Sequence, residues 1–156
     1  MPRDLSLTVN RRVHRLLAEP DETLLRVLRE RLDLLTVREA CGLGICGSCT
    51  VLVDGKPMSA CLLFAAQVEG RDVVTLEGMG QGGKLHPVQE AFLKANAFQC
   101  SFCSPGFILA ASALLEEIPN PTDDDVRTYL AGNLCRCGSY VKILEAVRAA
   151  RRAVPG

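Results

Sequence analysis

The sequence predicts an α+β chain in two parts: a small mixed-sheet unit over residues 1–77, a linker at 78–84, and a helical unit over 85–156. Three observations carry this division. Apolar residues alternate at period two in several stretches of the first half and follow helical spacing in only one. The stretch "GMGQGGK", residues 78–84, interrupts the chain with four glycines. Beyond it, four segments each carry a helix-start signal and none reads as a strand.

Taken in order, Leu5, Leu7 and Val9 alternate with Asp4, Ser6 and Thr8, the pattern of a half-buried strand. A turn near Asn10 would lead into a second strand around Val13 to Leu17. After Pro20, Asp21 is the expected cap of a helix whose stripe is Leu24, Leu28 and Leu32, widened by Leu25 and Val27. "TVLVDGKPMSACL", residues 50–62, reads as a hairpin, because Asp54 and Gly55 tolerate the positive φ of a tight turn. Asp72 to Leu76 supplies one more strand, giving one helix against a mixed sheet.

Past the linker, His86-Pro87 sets proline at the first helical position with Gln89 behind it, and Ser104-Pro105 repeats the arrangement. Thr122 precedes three aspartates that complement a helix N-terminus, and Ser139 can cap the last helix. The stripes are Val88, Phe92 and Ala95; Ile108, Ala111 and Leu115; Val126, Leu130 and Leu134; and Ile143, Val147 and Ala150. Four short amphipathic helices with brief connections predict a bundle.

Composition narrows the function. Eighteen basic and eighteen acidic side chains balance, aromatics are 4% and tryptophan is absent, so no nucleic-acid partner is expected. Arg148, Arg151 and Arg152 fall at an expected helix end, where cations complement the dipole. The longest apolar run, Phe107 to Leu115, stops at Glu116 and is too short to cross a bilayer, so no membrane partner is expected. Eight cysteines in 156 residues fall below the density of a disulfide scaffold, and no signal-peptide pattern is read. Arg11-Arg12 lacks the apolar core of a twin-arginine signal. The expected compartment is the reducing cytoplasm. His14 and His86 have no second ligand at metal spacing and read as an exposed strand residue and a helix cap.

"CGLGICGSC", residues 41–49, poses a choice between phosphate and metal, since Gly42, Gly44 and Gly47 meet the spacing G-x-G-x-x-G. A dinucleotide loop leaves a strand and opens a helix, whereas this one follows a helix and runs into a strand. Gly78, Gly80 and Gly83 meet the same spacing, but no parallel strand follows them and no acid stands about 20 residues on. Cys41, Cys46, Cys49 and Cys61 instead form C-x4-C-x2-C-x11-C, whose first three members match a plant-type two-iron cluster. Such a cluster, with four thiolates, carries about −2, and Gly42, Gly44 and Gly47 let the chain wrap its N–H groups around that charge.

Cys100, Cys103, Cys135 and Cys137 make a second quartet, C-x2-C and C-x-C, each pair just ahead of a helix start. Alone it suits iron or zinc, although zinc knuckles more often use C-x2-C twice. Beside the first quartet, iron is the expected occupant. A C-x-C disulfide would be strained.

"ACGLGICGSCTV" with Cys61, then "QCSFCSPG" and "GNLCRCGSY", resembles the iron-sulfur subunit or domain of the molybdenum hydroxylases, the xanthine oxidase, aldehyde oxidoreductase and carbon monoxide dehydrogenase family. The resemblance covers nearly the whole chain. It implies a plant-type ferredoxin-like β-grasp domain, then a four-helix domain, each carrying one 2Fe-2S cluster. It further implies a large subunit with a molybdopterin cofactor and a medium subunit with FAD, assembled as a dimer of heterotrimers. Electrons would pass from molybdenum through the C-terminal cluster and then the N-terminal one to FAD, and this chain would have no substrate-transforming site of its own. Gln99 and Cys137 carry over as molybdopterin contacts. Ser101 and Ser104 depart from the glycine and threonine common there, and "GLGI" replaces a more acidic loop. The competing expectations are a stand-alone soluble ferredoxin and a zinc-stabilised interaction module.

Overall fold

The computed structural model describes residues 1–151; Arg152, the last of the basic cluster, lies outside them. Strands β1 (Arg3–Val9) and β2 (Arg12–Ala18) pair antiparallel, with Leu7 opposite His14. Asn10 and Arg11 both take positive φ, so the turn has the twist that a two-residue hairpin needs. His14 is half-buried rather than exposed. Helix α1 (Leu24–Arg26) forms where expected, but its cap is Thr23, not Asp21: Thr23 Oγ1 accepts from the Arg26 N–H at 3.3 Å. After one turn it widens into a π-helical turn, Val27–Arg31, and Leu24, Leu25, Val27 and Leu28 are all buried.

Strands β3 (Thr50–Val53) and β4 (Lys56–Ser59) make the expected hairpin around Asp54 and Gly55, both at positive φ. The last strand, β5 (Asp72–Val74), is shorter than expected, because Leu76–Gly78 coils into a 3-10 turn. The sheet runs β2-β1-β5-β3-β4, parallel only between β1 and β5. Leu5, Leu7, Val9, Val51, Val53 and Val73 face α1 across one core.

Four helices follow: α2 (Pro87–Lys94), α3 (Ser104–Glu117), α4 (Asp123–Tyr129) and α5 (Tyr140–Ala150). His86 caps α2 through Nδ1, which accepts from the Val88 N–H, and Gln89 closes the box on the His86 N–H. Thr122 caps α4 with Asp125 as its reciprocal partner. Ser139 stands at the start of α5 but makes no side-chain cap bond.

Further expectations change in the helical half. Helix α3 is not amphipathic: every residue from Ser104 to Leu115 is buried, since α2, α4 and β3 pack around it. Its cap position is Cys103, with Ser104 already inside the helix. The stripe read through Val126, Leu130 and Leu134 breaks after Leu130, because the 3-10 turn Leu130–Gly132 redirects the chain and leaves Leu134 49% exposed. The helices enclose a second core that also takes Leu52 from β3, so the sheet and the helices share a packed boundary. Among the described residues no helix is long and apolar enough to cross a membrane.

Candidate metal centres

The segment between α1 and β3 holds Gly42, Gly44 and Gly47 at φ of +62°, +74° and +71°. These turns bring backbone donors to sulfur: the Leu43 N–H lies 3.4 Å from Cys41 Sγ. Gly47 is constrained twice, since a Cβ there would also overlap Asn133 and the Gly132 carbonyl.

The eight thiols gather in pairs. Cys41 meets Cys46 and Cys49 meets Cys61 in thiol contacts. In the helical half, Cys137 Sγ and Cys100 Sγ are 3.5 Å apart, and Cys103 meets Cys135. Two irons that each take two thiolates call for two pairs, whereas one tetrahedral ion takes four donors about one centre. The donor set therefore fits a two-iron cluster in each quartet.

Each quartet has a thiol whose ionisation backbone donors favour and one whose ionisation is opposed by loss of solvent. Donation from the Leu43 N–H, helped by the Cys46 thiol, draws Cys41 down to about 6. Burial drives Cys49 up to about 12. The Phe102 N–H, with Cys137, lowers Cys100, and burial raises Cys103 to about 12. Burial also opposes ionisation of Cys135, but the Ser139 N–H at 3.3 Å and the Ser139 hydroxyl outweigh it. A bound cation would draw protons from Cys49 and Cys103, because a coordinating thiol deprotonates outright.

The two sites touch through backbone. The Leu134 N–H, one residue before Cys135, donates to the Cys46 carbonyl at 2.8 Å. Asn133 Nδ2 donates to the Gly47 carbonyl at 3.1 Å and to Thr50 Oγ1 at 3.2 Å. The Arg38 N–H donates to Ser48, its guanidinium donates to the Ser101 carbonyl, and that guanidinium stacks 5.3 Å from the Phe102 ring centre. A cavity of about 380 Å³ is lined by Cys46 and Ser48 of one loop and by Cys100, Cys103 and Cys135 of the other. The two quartets are thus neighbours.

Gln99 and Cys137, the two expected pterin contacts, come together: Gln99 Nε2 donates to the Cys137 carbonyl at 3.0 Å beside the exposed Cys100. Sequence reasoning missed Arg38, Thr50, Asn133 and Tyr140. The Tyr140 hydroxyl accepts from the Cys135 N–H at 2.9 Å, and its ring stands edge-on to Phe107. The available signal was nearness to the cysteines: Arg38, Asn133 and Tyr140 each lie two or three residues from one, and Thr50 directly follows Cys49.

Comparison with known proteins adds family to geometry. Residues 13–91 match the 2Fe-2S iron-sulfur cluster binding domain and residues 75–148 the 2Fe-2S binding domain. The nicotinate dehydrogenase small FeS subunit of Eubacterium barkeri is 43% identical over 144 residues, 92% of each chain. A nicotinate dehydrogenase subunit from Pseudomonas putida is 46% identical over 150 residues, 96% of each chain. The crystal structure of quinoline 2-oxidoreductase from Pseudomonas putida 86 superposes with a TM-score of 0.93 at 40% identity, covering 97% of this chain and 95% of that one. The chain belongs to the iron-sulfur small subunits of the molybdenum hydroxylase family, and its function is electron transfer through 2Fe-2S clusters within such an oxidoreductase.

Proposed function

We propose that Cys41 with Cys46 and Cys49 with Cys61 bind the two irons of one cluster, and that Cys100 with Cys137 and Cys103 with Cys135 bind those of the other. Bound there, each cluster supplies a one-electron carrier. The chain's part is to hold the thiolates in pairs, aim N–H groups at the sulfurs and exclude water around Cys49 and Cys135. In this reading residues 1–77 form the plant-type ferredoxin-like β-grasp domain, 78–84 the linker and 85–156 the four-helix domain.

The exposed side of the C-terminal site, with Gln99 and Cys137, would face the molybdopterin of a large partner subunit. The loop around Cys41 and Cys46 would face a medium FAD-bearing subunit, in a complex built as a dimer of heterotrimers. Eight free cysteines suit the cytoplasm. The observation that carries the reading is the hydrogen bond from the Leu134 N–H to the Cys46 carbonyl, which joins a residue adjacent to one quartet directly to a member of the other.

Rapid mixing of the assembled complex tests the order. Cys49→Ser should lower iron from about four to about two per chain. Substrate should still reduce molybdenum and the C-terminal cluster, while FAD reduction fails. Flavin reduction at wild-type speed in this variant would overturn the order of carriers.

A further inference from the structure

Asn133 is 6% exposed and lies where the first cysteine loop, the start of α3 and the approach to Cys135 meet. Its Nδ2 reaches both the Gly47 carbonyl and Thr50 Oγ1, while Thr50 Oγ1 donates to the same Gly47 carbonyl at 2.7 Å. Gly106, in the first turn of α3, closes the third side: a Cβ there would overlap the Gly47 carbonyl and crowd Asn133 Nδ2 at 3.1 Å. Gly47 lies between Cys46 and Cys49, Gly106 three residues after Cys103, and Asn133 two residues before Cys135. A single amide therefore touches, or nearly touches, the chain beside cysteines of both quartets.

We infer that Asn133, locked against Gly47, Thr50 and Gly106, is the positioning residue that fixes the spacing between the two cluster loops. The inference rests on the proposed cluster assignment and adds to it what holds the carriers at a working separation. Electron exchange between two centres falls steeply with distance, so a lock at this contact governs rate without touching a metal ligand. The bond from Leu134 to Cys46 stands one residue along from this contact and joins the same two loops. Without Asn133 the Gly47 carbonyl keeps its two Thr50 donors, the N–H at 3.2 Å and Oγ1 at 2.7 Å, but the side-chain bonds that tie residue 133 across to the first loop are gone and the two loops are free to separate.

Electron paramagnetic resonance of the dithionite-reduced complex reads the spacing directly, through the magnetic splitting that two reduced clusters impose on each other. Asn133→Ala should retain about four irons per chain, show a clearly smaller splitting and exchange electrons between clusters severalfold more slowly. Asn133→Asp, which keeps the shape but loses the donor, should behave likewise, and Thr50→Ser should match the wild type. Should Asn133→Ala not hold iron, Thr50→Val, which removes only the hydroxyl, decides with the same readout. An unchanged splitting at full iron content, or loss of iron in both Asn133→Asp and Thr50→Val, would overturn the lock while leaving the cluster assignment standing. A wild-type protein without two reduced-cluster signals would overturn both.

Discussion

Three members of the N-terminal quartet sit on one continuous loop, with Cys61 returned to them by the β3–β4 hairpin, whereas the C-terminal quartet is split over two separated helix junctions, yet both end as two pairs of thiols. In the first, three glycines at positive φ give the backbone its curvature, so the positions of Cys41, Cys46 and Cys49 follow from local chain geometry. In the second, the junction before α3 must meet the junction before α5 across 31 residues, and packing around Phe107 and Tyr140 brings them together. Three of the four donors of the first site are therefore placed by local conformation, whereas both thiol pairs of the second are joined by tertiary contact, and the two should respond differently to damage.

A deletion in the helical core is the strongest way to break the comparison. Phe107 is fully buried in α3 and packs edge-on to Tyr140. Phe107→Ala should cost about 3–5 kcal/mol in unfolding free energy and remove the C-terminal cluster's spectrum well before the N-terminal one. Equal loss of both signals on heating would mean that the first loop also depends on the helices.

A finer probe is Tyr140→Phe, which leaves the ring in place and removes the acceptor of the Cys135 N–H. The expected cost is about 1 kcal/mol, with a changed resonance signal from the C-terminal cluster and an unchanged one from the N-terminal cluster. A shift in the N-terminal signal instead would reverse the assignment of Tyr140 to the helical site.

The smallest effect is expected at Glu77, which ties the approach to the first loop to the linker by accepting from Thr36 and Thr75. Burial works against its charge, but the Thr36 and Thr75 bonds hold the carboxyl below the ordinary value of 4.5. A depressed carboxyl stabilises the folded chain above its unfolded value, and that contribution disappears as pH falls through the folded value. Unfolding midpoints should thus favour wild type over Glu77→Gln at neutral pH and converge below pH 4.5. A gap that widened on acidification would contradict the sign.

This contrast also explains what the sequence made legible. The strands were readable because Leu5, Leu7 and Val9 alternate with polar neighbours, and α2 and α4 because His86-Pro87 and Thr122 are local signals. The first quartet's chemistry was readable from its spacing. The second was ambiguous, since C-x-C becomes one half of a paired site only when α3 and α5 have packed. The burial of α3 on every side was not legible, because its surroundings come from α2, α4 and β3. Asn133 and Arg38 escaped notice for the same reason: their partners, Gly47 and Ser101, lie 86 and 63 residues away.

On the proposed assignment, this electron-transfer subunit carries two separate 2Fe-2S clusters, one per quartet. Iron and acid-labile sulfide analysis combined with resonance spectroscopy of the reduced protein tests it most directly. About four irons and four sulfides per chain, with two distinguishable signals and visible absorbance bleached by dithionite, is the predicted result. A colourless protein holding zinc, or a single signal with about two irons, would contradict it.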